Sequence, residues 1–388
     1  MSDRSPMHQQ IDTLPKLVRD IVHPFDEAAR ATFDFELCTS VKYIHLVGCG
    51  DSHHAPVGAE LAFHQLAGVP TRAARALTFS RYLAPYLPPT GPKTNLVIAV
   101  SVSGVVSRTI EALRLARKAG AVTVALTGTP EAPLAQSAEK VFKTTVPPLP
   151  DELRGMVVPG VRSYLASQVG LYTAAIRIGE VRGHLTTAQA NALRTELAEL
   201  ADVMEATIAA CEPLAHTLMA EKWQDIPEFV YVGAGPMFGV AMFSAAKMLE
   251  ASGDPAMAQD TEEWAHLQYF AARQDTPTVL ISAADRDADR MAEVARAAQS
   301  IGRRTVGVLP AEETEIRQYV QHVLPVQGQV RECFAPLVYS IPGELLAAER
   351  AAALGVPYFR DFGGGRTVDW ADGASRIRDS HMWEELRP

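Results

Sequence analysis

One order of elements runs twice along this chain at a nearly constant offset, and that repetition restricts the fold more than any other feature. In the first copy an apolar run, Tyr43–Val47, leads into Gly48-Cys49-Gly50-Asp51-Ser52 and then a helical stretch, about Val57 to Leu66, that stops at Gly68. Leu96–Val100, a helical stretch from Thr109 to Lys118 closed by Gly120, Val122–Leu126 and Val141–Val146 follow. In the second copy Phe229–Val232 leads into Gly233-Ala234-Gly235 and a helical stretch from Val240 to Ala251, then Val279–Ile281, Thr305–Val308 and Val323–Val326. Gly48 to Gly233 is 185 residues, Leu96 to Val279 is 183, and both Gly120 to Gly302 and Val141 to Val323 are 182. Four elements in one order at one offset make two copies of one unit. Short apolar strands alternating with helices predict a parallel sheet covered on both faces. The expected class is therefore α/β: two tandem domains, each a flavodoxin-like or Rossmann-like parallel sheet with helices on both faces.

The expected divisions are a helical N-terminal segment at 1–35, a first domain at 36–185, a linker helix at 186–224, a second domain at 225–355 and a tail at 356–388. Thr186 with Gln189 fits a capping box at the start of the linker helix. Leu193, Leu197, Leu200, Met204, Ile208 and Cys211 form one apolar stripe along it. That stripe suits a connector packed on the domains, and it also suits a dimer contact.

A formal charge of −9 argues against nucleic acid as the main partner, since duplex binding needs a basic stripe. Cys38, Cys49, Cys211 and Cys333 are scattered and show neither metal-ligand spacing nor a disulfide framework. The polar N-terminus lacks a signal region, and no apolar run is long enough to span a membrane. The expectation is a reduced, cytoplasmic protein with no membrane partner, no metal and no organic cofactor.

In a parallel sheet, ligands sit beyond the carboxyl ends of the strands, where helix N-termini point free amides. Two polar clusters fall there. One is Gly50-Asp51-Ser52; the other is Ser101-Val102-Ser103-Gly104, followed by Ser107 and Thr109. Either cluster alone reads as helix capping. Two at one end of one sheet point to an anion site. A dinucleotide fingerprint fails in both copies, since His53 and Phe238 stand where its third glycine belongs. Lys247 and Glu250, three apart, share a helix face. They are either a surface ion pair or a base with an electrostatic helper. His266 follows Glu262 and Glu263 closely, as a structural histidine or an acid–base group.

Together these motifs resemble the sugar isomerase (SIS) domain family, in particular the isomerase half of glucosamine-6-phosphate synthase and free-standing sugar-phosphate deaminases and deglycases. The resemblance rests on Ser52 with Ser101-Val102-Ser103-Gly104, on Ala246-Lys247-Met248-Leu249-Glu250-Ala251-Ser252, and on Glu263-Trp264-Ala265-His266. It implies that Glu250 moves a proton between carbons 1 and 2, that His266 handles the ring hydroxyl, and that Lys247 assists electrostatically. It places Cys49, Gly50, Ser52, Ser101, Ser103, Ser107, Val161, Ser163 and Glu263 around the phosphate and sugar. It also implies a homodimer with shared sites, because the family histidine comes from the neighbouring subunit.

The chain departs from the family in three places. Val102 and Val106 replace polar residues of the phosphate loop, with Ser107 or Arg108 as substitutes. About 35 residues precede the first domain, so no glutaminase domain is expected. No lysine follows Lys247, and Arg376 or Arg378 in the tail replaces a family lysine that can form a Schiff base; the tail reads equally as a packed arm. The expected function is aldose–ketose isomerisation of an amino-sugar or fructosamine-type 6-phosphate with amine release. The alternative is a sugar-phosphate sensor without turnover. In both cases all these groups, Glu250, His266 and the hydroxyls near Ser101, should converge on one hexose-sized cavity.

Overall fold

A computed structural model describes residues 4–361 apart from 89, 90, 92, 150 and 154. The chain divides into two compact units. The first comprises Lys16–Pro147 and Ser163–Glu199. The second comprises the residues up to Pro15, Pro148–Arg162 and the described residues from Leu200 to Asp361. The units are thus discontinuous, and short segments of the first half of the chain belong with the second sheet.

The first unit holds β1 (Tyr43–Gly48), β2 (Thr71–Arg75), β3 (Asn95–Val100), β4 (Val122–Thr127) and β5 (Lys140–Lys143). They form one sheet in the order β2-β1-β3-β4-β5. Every neighbouring pair is parallel. The second unit holds β6 (Phe229–Gly233), β7 (Ala256–Asp260), β8 (Pro277–Ile281), β9 (Arg304–Pro310) and β10 (His322–Val326), in the order β10-β9-β8-β6-β7. Counted from its own first strand, the second sheet repeats the 2-1-3-4-5 order of the first. All its pairs are parallel as well.

Burial follows position in the sheet. Every residue of the central strands β3, β4, β6 and β8 is buried. Helices on both faces of a parallel sheet require this, and it is why these strands read as continuous apolar runs. The edge strands β2 (Thr-Arg-Ala-Ala-Arg) and β7 (Ala-Met-Ala-Gln-Asp) are partly exposed and carry no such run.

The helices after the first strand of each copy begin earlier than the apolar pattern predicts. They run Asp51–Ala62 and Pro236–Ser252. Pro56 has no N–H, so the Ser52 carbonyl receives no helical bond from it. That carbonyl lies where a Cβ on Gly48 would be, 1.9 Å away, so glycine at 48 lets the helix start flush against β1. Gly233 meets the Met237 carbonyl at 2.6 Å in the same way. The Pro236–Ser252 helix packs on β6 and β7 and along the Pro336–Leu354 helix. A Cβ on Gly343 would lie 2.1 Å from Ser244 Oγ, so the two backbones pass very close. The capping box is present: Thr186 N donates to Gln189 Oε1 (2.9 Å) and Gln189 N to Thr186 Oγ1 (3.2 Å). The helix it opens, Thr187–His216, buries the whole stripe from Leu193 to Cys211 within the chain. Among the described residues, no helix is long and apolar enough to cross a membrane.

Candidate functional site

In the first unit β1 and β3 are neighbours whose following helices leave the sheet at a topological switch point, where open α/β sheets bind ligands. Both polar clusters sit there. After β1, Gly50 adopts φ 57° and ψ −133°, and a Cβ on it would meet nothing within 4 Å. The N-terminus of the Asp51–Ala62 helix therefore opens beside unfilled space, with Ser52 half-buried in its first turn.

After β3 the chain makes a locked turn. Gly104 N donates to Ser101 Oγ (3.2 Å) and Ser101 N to Leu126 O (3.0 Å). The Val102 carbonyl accepts from Thr127 Oγ1 (3.3 Å), Thr129 Oγ1 (3.3 Å) and Gly128 N (3.2 Å). Gly104 has φ 65°, and its virtual Cβ would sit 2.5 Å from Ala132 Cβ, so only glycine fits. Ser101 is buried within this turn, Ser103 is exposed, and Ser107 opens the Ser107–Lys118 helix with no side-chain cap before it. Arg108 donates to the buried Glu111 at 2.5 Å and Arg81 to the same carboxylate at 3.3 Å. Glu111 thus balances positive charge that would otherwise serve an anion. Burial pushes the Cys49 thiol up, against a lesser pull from the Thr109 hydroxyl 3.7 Å away, so Cys49 contributes packing and backbone rather than a nucleophile. Ser163 lies in the first turn of the Arg162–Val181 helix, and its carbonyl accepts from Ser167 Oγ at 2.9 Å.

The second unit carries the acid–base candidates. Lys247 is fully buried on the Pro236–Ser252 helix, donates to Glu250 Oε2, and holds its Nζ 5.0 Å from the centre of the Phe243 ring. The Glu250 side chain keeps 31% of its surface, enough to meet a ligand. A clasp that the sequence does not reveal fixes the end of this helix. Buried Arg350 donates to Asp254 (2.6 Å) and to the carbonyls of Trp223 (2.7 Å), Gln224 (3.1 Å) and Ile226 (2.7 Å). Beside it, Gly253 ends the helix at φ 79°, and the Arg360 side chain lies 3.2 Å from where its Cβ would be.

Asp260 caps the short Thr261–His266 helix by accepting from Glu262 N at 2.9 Å, and buried Trp264 anchors it. His266 is 66% exposed and donates from Nε2 to Glu262 Oε1 at 2.9 Å. The other Glu262 oxygen accepts from Arg290 at 2.6 Å. Arg290 first, and His266 second, hold the Glu262 carboxyl below the usual range. Glu263 is exposed. Val161, in the same unit, is fully buried, so contact from it would come through its backbone.

The structure therefore joins Lys247 to Glu250 and His266 to Glu262, and it sets the two serine turns on adjacent strands of the other unit. Arg376 and Arg378 lie outside the described residues. The second copy keeps the backbone device but not the anion chemistry. Gly235 has φ 51° and ψ −126°, close to Gly50, yet Ser282 Oγ donates to Asp287 Oδ1 at 2.8 Å. A cavity of about 690 Å³ at that edge is lined by Asp285 and Glu312 among others. Carboxylates there would repel a phosphate.

Residues 38–176 match the SIS domain family model. Over 347 residues the chain is 26% identical to glutamine–fructose-6-phosphate aminotransferase (isomerizing) of Gloeobacter violaceus, covering 89% of this chain and 54% of that protein. The chain thus spans about half the length of the curated relatives it matches. Among solved structures, the C-terminal domain of glucosamine-fructose-6-phosphate aminotransferase from Francisella tularensis superposes with a TM-score of 0.76 at 19% identity, covering 92% of this chain and 98% of that one. Glucosamine-6-phosphate deaminase of Thermotoga maritima superposes with a TM-score of 0.64 at 18% identity, covering 90% and 95%. At such identities the structural likeness speaks for the fold. Residues 38–176 are accordingly a SIS domain, and the chain is homologous to the isomerase half of the glutamine–fructose-6-phosphate aminotransferases.

Proposed function

We propose that this chain is a phosphosugar isomerase-type enzyme acting on an amino-sugar or fructosamine-type 6-phosphate, with release of ammonia or an amine. The observation that carries the reading is the Lys247–Glu250 pair: a fully buried ammonium fixed to a carboxylate that stays accessible. Burying a lysine is costly unless it is paired, and an ordinary surface ion pair needs no such burial. The arrangement suits a base that takes a proton from one sugar carbon and returns it to the next, beside a cation that steadies the enediolate oxygen.

In this reading the amides and hydroxyls around Cys49, Gly50, Ser52, Ser103 and Ser107 hold the phosphate, on a turn that Ser101 locks. Val161, Ser163 and Glu263 contact the sugar, and His266, oriented by Glu262, passes the ring-hydroxyl proton. Proton transfer from C2 to C1 of a 2-amino aldose, or from C1 to C2 of a 1-amino ketose, leaves a C=N bond. Water adds to that carbon, the C–N bond breaks, and the amine leaves with the protons that water supplies. His266 is exposed and is followed by exposed Leu267, Tyr269 and Phe270. A second copy covering this segment would form the homodimer that supplies the histidine.

The test is solvent exchange in deuterium oxide with hexosamine and fructosamine 6-phosphates, read by NMR together with amine release. Deuterium should enter C1 or C2, and Glu250→Gln should slow entry by about 10²–10⁴-fold. Tight binding of these sugars with no exchange would instead make the protein a non-catalytic sugar-phosphate sensor.

A further inference from the structure

We propose that His8, Glu212 and Glu349 form a binding site for one divalent transition-metal ion of the zinc type. The three residues come from three helices of the second unit: Pro6–Asp12, Thr187–His216 and Pro336–Leu354. One ligand atom from each lies within 4.8 Å of the other two. Two metal–ligand bonds of about 2.1 Å end to end span about 4.2 Å, so a small rotation of half-buried Glu212 completes the set.

The imidazole of His8 points to a ligand independently of this clustering. Its residue is only 5% exposed. Nδ1 shares a 2.7 Å hydrogen bond with Ser5 Oγ, whose neighbour Tyr358 donates to the same oxygen at 3.2 Å. Nε2 lies 2.9 Å from Glu349 Oε1, a distance that would suit an ion pair. Yet this inaccessible nitrogen makes no hydrogen bond, so the contact is off axis. The nitrogen and the carboxylate oxygen are thus close without being bonded to each other, and a cation held between them would take both as ligands.

The surroundings fit a dication. Glu349 Oε2 accepts from His216 Nδ1 at 2.8 Å, which fixes the carboxylate as an outer partner fixes a metal ligand. Arg4 bridges Glu212 (2.8 Å) and Asp12 (2.7 Å). Glu212, Glu349 and Asp12 outnumber the one arginine among them, and a divalent ion would offset that excess of carboxylates. A set of one imidazole and two carboxylates suits zinc and its first-row neighbours rather than a soft thiolate-preferring ion. Bound there, the ion would fasten the first helix to the last long one.

The experiment titrates Co²⁺ into the chelator-stripped full chain and follows visible d–d absorption, with Zn²⁺ as competitor. One Co²⁺ should bind per chain and be displaced by Zn²⁺, and Zn²⁺ should raise the melting temperature. His8→Asn, Glu349→Gln and Glu212→Gln should each weaken Co²⁺ binding at least tenfold. Glu212 sits at the accessible edge, so E212Q decides the matter if the two buried variants do not fold. Absence of Co²⁺ uptake, or uptake unchanged in E212Q, overturns the proposal. Neither result bears on the isomerase reading, since no group of this site belongs to it.

Discussion

His45 and His53 bury their imidazoles in the first unit, and both are pushed down to about 4, His45 by burial and His53 by burial with His54 beside it. An unfolded histidine binds its proton near pH 6.5. Between pH 6.5 and 4 the unfolded chain therefore holds more protons than the folded one, and stability falls as pH falls through that window. Above pH 6.5 the two states are alike and the effect is absent. Each histidine removes roughly 1.4 kcal/mol per pH unit within the window. Denaturant melts of the wild type should lose stability from pH 6.5 to 4, and His53→Phe should flatten the slope by about half. An unchanged slope in that variant would assign the acid sensitivity elsewhere. At this scale the sequence was legible wherever partners are near in the chain. Lys247 with Glu250, and Thr186 with Gln189, sit three apart and do meet. Glu262, four before His266, is its partner and could have been found by the same spacing. Arg350, whose partners Trp223 and Asp254 lie 127 and 96 positions away, and the His8–Glu349 contact give no local signal.

In the proposed reading the phosphate rests on the turn from Ser101 to Gly104. Gly104→Ala forces a side chain into φ 65° and toward Ala132 Cβ at 2.5 Å. Backbone strain alone costs about 1–3 kcal/mol, and the overlap adds to it. The variant should show a lower denaturation midpoint and lose most of its affinity for any sugar phosphate. A variant with unaltered phosphate affinity would remove this turn from the site. Its serines and its glycine are visible in the sequence, but the burial of Ser101 and the exposure of Ser103 are not. Strands show the same divide. The central ones declare themselves because both faces are buried and both must be apolar. The edge strands β2 and β7 are half solvated, their composition is Ala, Arg, Gln and Asp, and they escaped an apolar reading. The second of these helices starts ahead of its apolar stretch because Pro236 occupies the first helical position, where no N–H is needed.

For the molecule as a whole, the duplicated 2-1-3-4-5 sheet follows from the constant offset of the repeat, but the proposed placement of the anion site in the first copy does not. It depends on Asp287 occupying the serine turn in the second copy and on open space beside Gly50 in the first. Among the described residues, the second copy carries an exposed apolar surface. Leu267 is 59% exposed and Phe270 72%, with the Tyr269 and Phe270 rings 4.1 Å apart. Next to this segment, Leu249, Met257, Gln268 and Ala271 line a cavity of about 420 Å³. A patch of this kind on the segment that carries His266 fits a contact between copies better than a solvated face. Sedimentation should therefore give a dimer at micromolar concentration. Replacing Leu267 and Phe270 together by Glu should yield a folded monomer, because neither side chain belongs to the buried core. If the partner supplies His266, that monomer should also lose isomerase turnover while Glu262 and His266 stay intact. A wild-type chain that sediments as a monomer and still turns over would place both the histidine and the base on one subunit.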